Sequence, residues 1–216
     1  MTAMHRLDPH RLDQHVQRDR LAVAAEVLAA AEGRTLAPPS DSRSAPPPDP
    51  QPDDPEPAPE DVARAIVLRQ LSMGPRTRKQ LEDKLRQRGC PQEVAARVLD
   101  RMTQVGLVDD EAYAQMLVRS RQAGRGLAKR ALAHELRSKG VADETIGQAL
   151  GSIDGESERS LAEREAARRM RTLAGLEPAV QARRLAAVLA RKGYPPSVVY
   201  AVVRDAVNEA PEHRRD

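Results

Sequence analysis

The sequence predicts an all-α protein built from tandem three-helix repeats that form an elongated, curved, solenoid-like array. Three observations support this prediction. Strong helix formers are abundant, whereas aromatic residues make up only 1% of the 216 positions. Three glycines, each preceded by a basic residue, recur at spacings of 51 and 53 residues: Gly89, Gly140 and Gly193. Leucines stand eight and four residues before each glycine, which is the spacing of a buried helix face.

The first 60 residues differ from the rest in composition and charge. Residues 1–36 form an N-terminal extension, and apolar residues in it are spaced as in a helix over residues 7–33. Residues 37–60 are rich in proline and acidic side chains, which is typical of a disordered, polyproline-like linker. Residues 1–59 hold 6 Lys and Arg against 10 Asp and Glu, whereas residues 60–216 hold 29 against 22. Because the repeat region is the basic part, we expect an anionic partner.

The remaining chain divides into three repeats and a short tail. The predicted bounds are residues 61–108, 109–154 and 155–208, with the tail at residues 209–216. Each repeat begins with an amphipathic helix, and these first helices are predicted at Asp61–Met73, Asp110–Gln122 and Glu156–Leu173.

The second helix of each repeat carries the leucine pair and ends at the glycine. The predicted core leucines are Leu81, Leu85, Leu132, Leu136, Leu185 and Leu189. Each glycine is expected in the left-handed conformation that terminates a helix. Thr77 and Gln80 have the spacing of a capping box at the start of one such helix. Four methionines are also predicted in the core: Met73, Met102, Met116 and Met170.

A third helix follows each glycine. Taken alone, residues 198–203 resemble a β-strand, because they form a short β-branched run. Their counterparts in the other two repeats have helical spacing, and Pro195 and Pro196 stand where a helix start tolerates proline. We therefore predict a helix there.

A family resemblance is carried by the segment GLVDDEAYAQMLVRSRQAGRGLAKRALAHELRSKGV at residues 106–141, between a leading copy that begins RQLSMGPRTRKQLEDKLRQRG and a trailing copy that ends LARKGYPPSVVYAVV. Residues 61 to about 208 resemble the RecX family of bacterial RecA regulators. The resemblance implies a tandem array of three-helix repeats that lodges in the groove of the RecA nucleoprotein filament. It also implies inhibition of the recombinase, ATPase and co-protease activities of RecA, and thereby modulation of DNA repair and the SOS response. This chain departs from the family pattern in its long extension and in the replacement of common aromatic residues by aliphatic ones.

The sequence contains no recognisable motif for catalysis, nucleotide binding or metal binding. Residues 124–126 read Gly-Arg-Gly, without the third glycine or the preceding strand of a dinucleotide site. His134 has no second histidine four residues later, as a zinc-protease helix requires. Asp109 and Asp110 open a helix, where capping is favoured over acid–base chemistry. Cys90 stands just after a repeat glycine and is interpreted as a small structural residue. We expect a protein that is not an enzyme and has no cofactor.

The remaining candidate is a set of outward-facing cations that we call the basic row: Lys79, Arg86, Arg119, Arg121, Arg125, Lys129, Arg130, Arg137 and Arg183. Lys79 and Arg86, for example, are seven residues apart and share one helix face, away from the leucines. We expect the basic row to bind the RecA filament or the DNA within it. The alternatives are a direct DNA-binding module that acts through phosphates, and a solvated face balanced by neighbours such as Glu82 and Glu135.

The sequence also predicts a cytoplasmic monomer without membrane contact. No apolar run approaches the roughly 20 residues that span a bilayer. Asp8, Asp13 and Asp19 are unlike a secretory or organellar targeting segment. A single cysteine fits a reducing compartment.

Overall fold

The computed structural model describes residues 57–210. The predicted N-terminal helix, almost all of the predicted linker and most of the tail lie outside these residues. Nine α-helices and no strand are found between residues 57 and 210, which confirms the all-α fold. The fold divides into two compact units, with the division between Asp109 and Asp110.

The first unit contains one three-helix domain. Its helices are α1 (Pro59–Ser72), α2 (Arg78–Gln87) and α3 (Gln92–Gln104). Their apolar faces form one core, which includes Val67, Leu81, Leu85, Leu99 and Met102. The Thr77 hydroxyl accepts a hydrogen bond from the Gln80 amide, and the Gln80 side chain accepts one from the Thr77 amide, both at 3.2 Å. The predicted capping box is therefore confirmed.

Two details of α1 differ from the sequence prediction. The helix begins at Pro59, two residues before the predicted start, because proline suits the first helical turn and Glu60 and Asp61 favour its positive end. Glu60 also forms an ion pair with Arg97 of α3 at 2.7 Å. The prediction of Met73 as a core residue is wrong, since this side chain is 60% exposed at the cap that follows α1.

The second unit contains two more three-helix domains. The second domain consists of α4 (Asp110–Arg125), α5 (Lys129–Ser138) and α6 (Asp143–Leu150). The third domain consists of α7 (Gly155–Met170), α8 (Pro178–Arg191) and α9 (Pro196–Asn208). Residues 198–203 lie within α9, so the prediction of a helix instead of a strand is confirmed. One core surrounds Leu132 and Leu136, and another contains Leu185, Leu189 and Tyr194.

The three repeat glycines end their helices in the same way. Gly89, Gly140 and Gly193 have φ angles of 75°, 78° and 90°, in the left-handed region that favours glycine. In each case the amide of the following residue donates to the carbonyl of the second core leucine, at 3.1 Å, 3.2 Å and 3.3 Å. This is the hydrogen-bond pattern of a Schellman motif, so the predicted role of these glycines is confirmed.

No helix between residues 57 and 210 has the length and apolarity that crossing a bilayer requires.

Candidate partner-binding surface

The structure distributes the basic row over four helices. Lys79 and Arg86 lie on α2, Arg119, Arg121 and Arg125 on α4, Lys129, Arg130 and Arg137 on α5, and Arg183 on α8. Seven of these residues are exposed, and only Lys79 and Arg121 are half-buried.

The two cations on α2 are balanced by acidic neighbours on the same helix. The Lys79 amino group lies 3.1 Å from Glu82 and 3.4 Å from Asp83, and the Arg86 guanidinium lies 2.5 Å from Asp83. The hydrogen bond from Lys79 to Glu82, followed by that to Asp83, raises the pKa of Lys79. In the first domain the basic row therefore has the local charge balance of a solvated helix face.

Arg121 connects α4 to α5 through Glu135. Its guanidinium forms a 2.7 Å ion pair with that carboxylate, and the two side chains are only 30% and 20% exposed. The hydrogen bond from Arg121 lowers the pKa of Glu135, despite partial burial that acts in the opposite direction. The charge of Arg121 is therefore partly neutralised by an acidic side chain of its own domain.

The remaining cations of the second domain face solvent. Among the described residues, Arg119, Arg125 and Arg130 make no ion pair through their side chains, and the same holds for Arg183 in the third domain. The Lys129 amino group donates only a long 3.5 Å hydrogen bond to the Ile153 carbonyl. Arg137 forms an ion pair with Asp143 at 2.7 Å, but both side chains are more than half exposed. Exposed pairs of this kind stabilise a fold little, so these cations can exchange an internal partner for an external one.

A second group of cations lies in the third domain, and the repeat alignment identified only one of its members. Residues 164–192 contain eight Lys and Arg against two Asp and Glu. The exposed arginines of this group are Arg164, Arg168, Arg169, Arg171, Arg183, Arg184 and Arg191. Within residues 57–210, only Arg168 of these seven forms an ion pair, with Glu165 at 2.7 Å. The local charge count of this stretch is the sequence signal that could have found them.

Three of these arginines occupy one face of α7. Arg164 and Arg168 are four residues apart, and Arg171 follows three residues later at the helix cap. This spacing places all three side chains on neighbouring turns of the same face. The third domain therefore presents a cationic stripe about 10 Å long, at 1.5 Å of helix rise per residue.

The candidate residues for catalysis or metal binding lie on a helix surface, against the core or at a helix start. His134 is exposed on α5. Cys90 packs against the first core, with its sulfur 3.6 Å from the Pro91 carbonyl oxygen. Asp110 is the first residue of α4, where a negative charge favours the helix. No group of three or more His, Cys, Asp or Glu side chains in the described part of the chain could hold a metal ion.

Comparison with known proteins identifies the three domains in order. Residues 63–102 match the family model described as RecX, first three-helix domain. Residues 109–150 match the second three-helix domain, and residues 156–203 match the third. The chain belongs to the RecX family. The resemblance found in the sequence and the prediction of tandem three-helix repeats are therefore both confirmed.

RecX proteins of Streptomyces, Thermobifida and Mycobacterium are similar to this chain over most of their own length. The regulatory protein RecX of Streptomyces lividans is 49% identical over 154 residues, which are 71% of this chain and 82% of that protein. The regulatory protein RecX of Thermobifida fusca is 47% identical over 151 residues, which are 68% of this chain and 82% of that protein. The corresponding protein of Mycobacterium sp. strain JLS is 46% identical over 182 residues, covering 82% and 96% of the two chains.

Solved RecX structures have the same fold. The crystal structure of RecX from Lactobacillus salivarius matches 68% of this chain and 96% of its own, with a TM-score of 0.62 at 19% identity. Another crystal structure of regulatory protein RecX matches 68% of this chain and 72% of its own, with a TM-score of 0.60 at 26% identity.

Proposed function

We propose that this chain binds the RecA nucleoprotein filament and inhibits its recombinase, ATPase and co-protease activities, thereby modulating DNA repair and the SOS response. Membership of a family of regulatory proteins supports a regulatory role. The observation that carries the proposal is the row of exposed cations along α4 and α5, which includes Arg119, Arg125 and Arg130 without an internal ion pair among the described residues. A filament built on single-stranded DNA is a polyanion, and cations that have no internal partner are suited to it.

The basic row is the surface that we propose to contact the filament, through RecA side chains or through DNA phosphates. The second domain supplies its central part, because Lys129, Arg130 and Arg137 are exposed on one helix of ten residues. Seven residues separate Arg130 from Arg137, so both point to the same side of α5. Leu132 and Leu136 are fully buried on the other side, and substitutions of the cations therefore leave the core intact.

A charge-reversal variant tests the proposal. Lys129→Glu, Arg130→Glu and Arg137→Glu together should raise the concentration needed to inhibit the ATPase of RecA on single-stranded DNA by about tenfold or more. The matched control carries the same change in charge at exposed cations elsewhere: Arg97→Glu, Arg101→Glu and Arg204→Glu. Helicity is compared by circular dichroism in all three proteins. If the α5 variant is folded and inhibits as well as the control, the basic row is not the contact surface.

Two further measurements sharpen this test. Added salt should weaken inhibition by the wild-type chain, since contacts to phosphates and carboxylates are screened. Removal of residues 1–56, which precede α1, should matter less than the triple reversal, because residues 1–59 carry more acidic than basic side chains.

The arginines of the third domain favour a second candidate function, direct binding of the DNA backbone. Residues 164–192 contain eight basic residues against two acidic ones. Fluorescence anisotropy with a labelled oligonucleotide and no RecA measures this activity. Substituting Arg164, Arg168 and Arg171 by Gln should make the affinity less sensitive to salt. The slope of log affinity against log salt concentration should decrease in magnitude by about 0.7 for each phosphate contact on the single strand that the variant loses. Tight binding to naked DNA with no effect on RecA would favour this function over filament inhibition.

A further inference from the structure

The second and third domains meet at a group of contacts that we call the junction: Gly126, Ala128, Lys129 and Ala131 on one side, and Glu158, Glu165, Lys192, Gly193 and Tyr194 on the other. The Ala128 amide donates to the Lys192 carbonyl at 2.9 Å. The Tyr194 hydroxyl donates to the Gly126 carbonyl at 3.0 Å. Ala128 is 1% exposed and belongs to the hydrophobic core of the third domain. The turn between α4 and α5 is therefore packed into the neighbouring domain.

Lys192 makes one polar contact within the third domain and another across the junction. Its amino group forms a 2.7 Å ion pair with Glu165 of α7 and donates to the Arg125 carbonyl at the end of α4. The side chains of Lys192 and Glu165 are only 17% and 13% exposed. Partial burial acts to raise the pKa of Glu165, but hydrogen bonds from Lys192 and Arg168 outweigh it and lower that pKa. This ion pair lies within the third domain and is costly to separate in so little solvent, so it holds the Lys192 amino group where that group reaches the Arg125 carbonyl across the junction.

Gly193 allows a close approach that the corresponding glycines do not make. A Cβ atom built on Gly193 would lie 2.7 Å from the Ala131 amide nitrogen and 2.8 Å from the Ala131 Cβ. At Gly89 and Gly140 the same atom would have nothing within 4 Å. All three glycines end a helix in the left-handed region, so only Gly193 has a second role in contact between domains.

We propose that the junction holds the second and third domains as one rigid body, and that Lys192, Gly193 and Tyr194 are thereby positioning residues for the partner. This inference rests on the proposed function. Exposed cations of both domains, such as Arg130 and Arg183, are then presented to the filament at one fixed spacing. Binding loses less orientational freedom when two contact surfaces are already held in the required geometry.

The internal glycines provide a matched test. Gly193→Ala and Gly140→Ala introduce the same left-handed strain, but only Gly193→Ala places a methyl group against α5. Distances between the domains are measured by double electron–electron resonance, with spin labels at Gln148→Cys and Ala187→Cys in a Cys90→Ser background. Both label positions are exposed and lie outside the junction. We expect one narrow distance distribution for the wild-type chain and for Gly140→Ala, and a shifted or broadened one for Gly193→Ala.

A second pair of variants avoids backbone strain. Lys192→Met removes the ion pair with Glu165 and the hydrogen bond to Arg125, whereas Lys139→Met changes the lysine at the corresponding helix cap of the second domain. The distribution should broaden for Lys192→Met and stay narrow for Lys139→Met. If the second and third domains, once loosened, occupy the binding geometry about a tenth of the time, the apparent Kd for a RecA filament on single-stranded DNA rises about tenfold.

The outcomes separate the inference from the proposed function. A broad distribution in the wild-type chain, or an unchanged one in both Gly193→Ala and Lys192→Met, overturns the rigid junction. Broadening without any reduction of filament affinity relative to the two control variants overturns the positioning role. A narrow wild-type distribution that both junction variants broaden, in a chain that does not bind the filament at all, supports the rigid junction and refutes the proposed function.

Discussion

The hydroxyl of Tyr194 allows the strength of the junction to be measured with the removal of a single atom. Tyr194 is 3% exposed, and its hydroxyl is the hydrogen-bond donor to the Gly126 carbonyl across the junction, at 3.0 Å. Tyr194→Phe keeps the ring in the core and removes only this donor. Gly126 is itself buried, so its carbonyl is left without the partner that the described structure provides.

The expected destabilisation follows from that geometry. Leaving a buried acceptor without a donor costs about 1–3 kcal/mol, more than the net value of a typical hydrogen bond. A decrease of about 2 kcal/mol in the free energy of unfolding, in a unit of roughly 100 residues, lowers the Tm by about 8–16 °C. The hydroxyl is the sole group removed, and we therefore expect no cavity contribution beyond it.

Denaturant and thermal melts followed by circular dichroism measure this destabilisation. Tyr200→Phe is the matched control, because Tyr200 lies on α9 of the same domain and is 72% exposed. The control should stay within about 0.5 kcal/mol of the wild-type chain, as surface substitutions usually do. Equal stabilities for Tyr194→Phe, Tyr200→Phe and the wild-type chain would refute the view that this hydrogen bond stabilises the junction.

Three further predictions concern pH and core packing. The pKa of Glu165 is lowered in the fold, so the stabilisation that its ionised carboxylate provides is present above about pH 4.3 and is lost as the pH falls through the folded pKa. In urea melts, the free energy of unfolding should therefore decrease less in acid for Glu165→Gln than for the wild-type chain. Burial raises the pKa of Tyr194 above 10, so the stability linked to it should decline as pH rises beyond 10, and this decline should be absent in Tyr194→Phe. Leu136→Ala and Leu189→Ala truncate fully buried side chains and should each cost about 2–5 kcal/mol in denaturant melts. The cost should be larger for Leu136, in the middle domain, and equal small costs would contradict a core role for both leucines.

Local patterns in the sequence were enough to predict the helices and the glycine ends of the three leucine helices. The leucine pairs and the terminal glycines recur in each repeat, and all of them have the predicted burial or backbone conformation. The reason is that a buried helix face and a Schellman motif depend on residues within about eight positions of each other. Residues 198–203 show the value of the repeat, since the run alone is typical of a strand and only its counterparts indicate the helix found there.

Local patterns did not predict which cations form an ion pair and which remain exposed. Arg121 and Arg130 belong to the same dense basic run, yet Arg121 is paired with Glu135 and Arg130 is exposed without an ion pair among the described residues. This difference depends on which side chain of α5 lies within reach of α4, and no spacing along one helix specifies it. The arginines on α7 were missed because cations were compared between repeats only at matching positions of the leucine helices, although their charge density was visible in the sequence.

The sequence by itself determined that Gly89, Gly140 and Gly193 end helices, because that role depends on the few residues before and after each glycine. Only the tertiary structure decided that Gly193 also lies against Ala131, whereas the other two glycines face open space. It likewise decided that Tyr194 reaches Gly126, which is 68 residues earlier in the chain. Contacts between domains depend on how whole helices pack against one another, and three local sequences with the same helix-ending pattern do not specify which one has a neighbour.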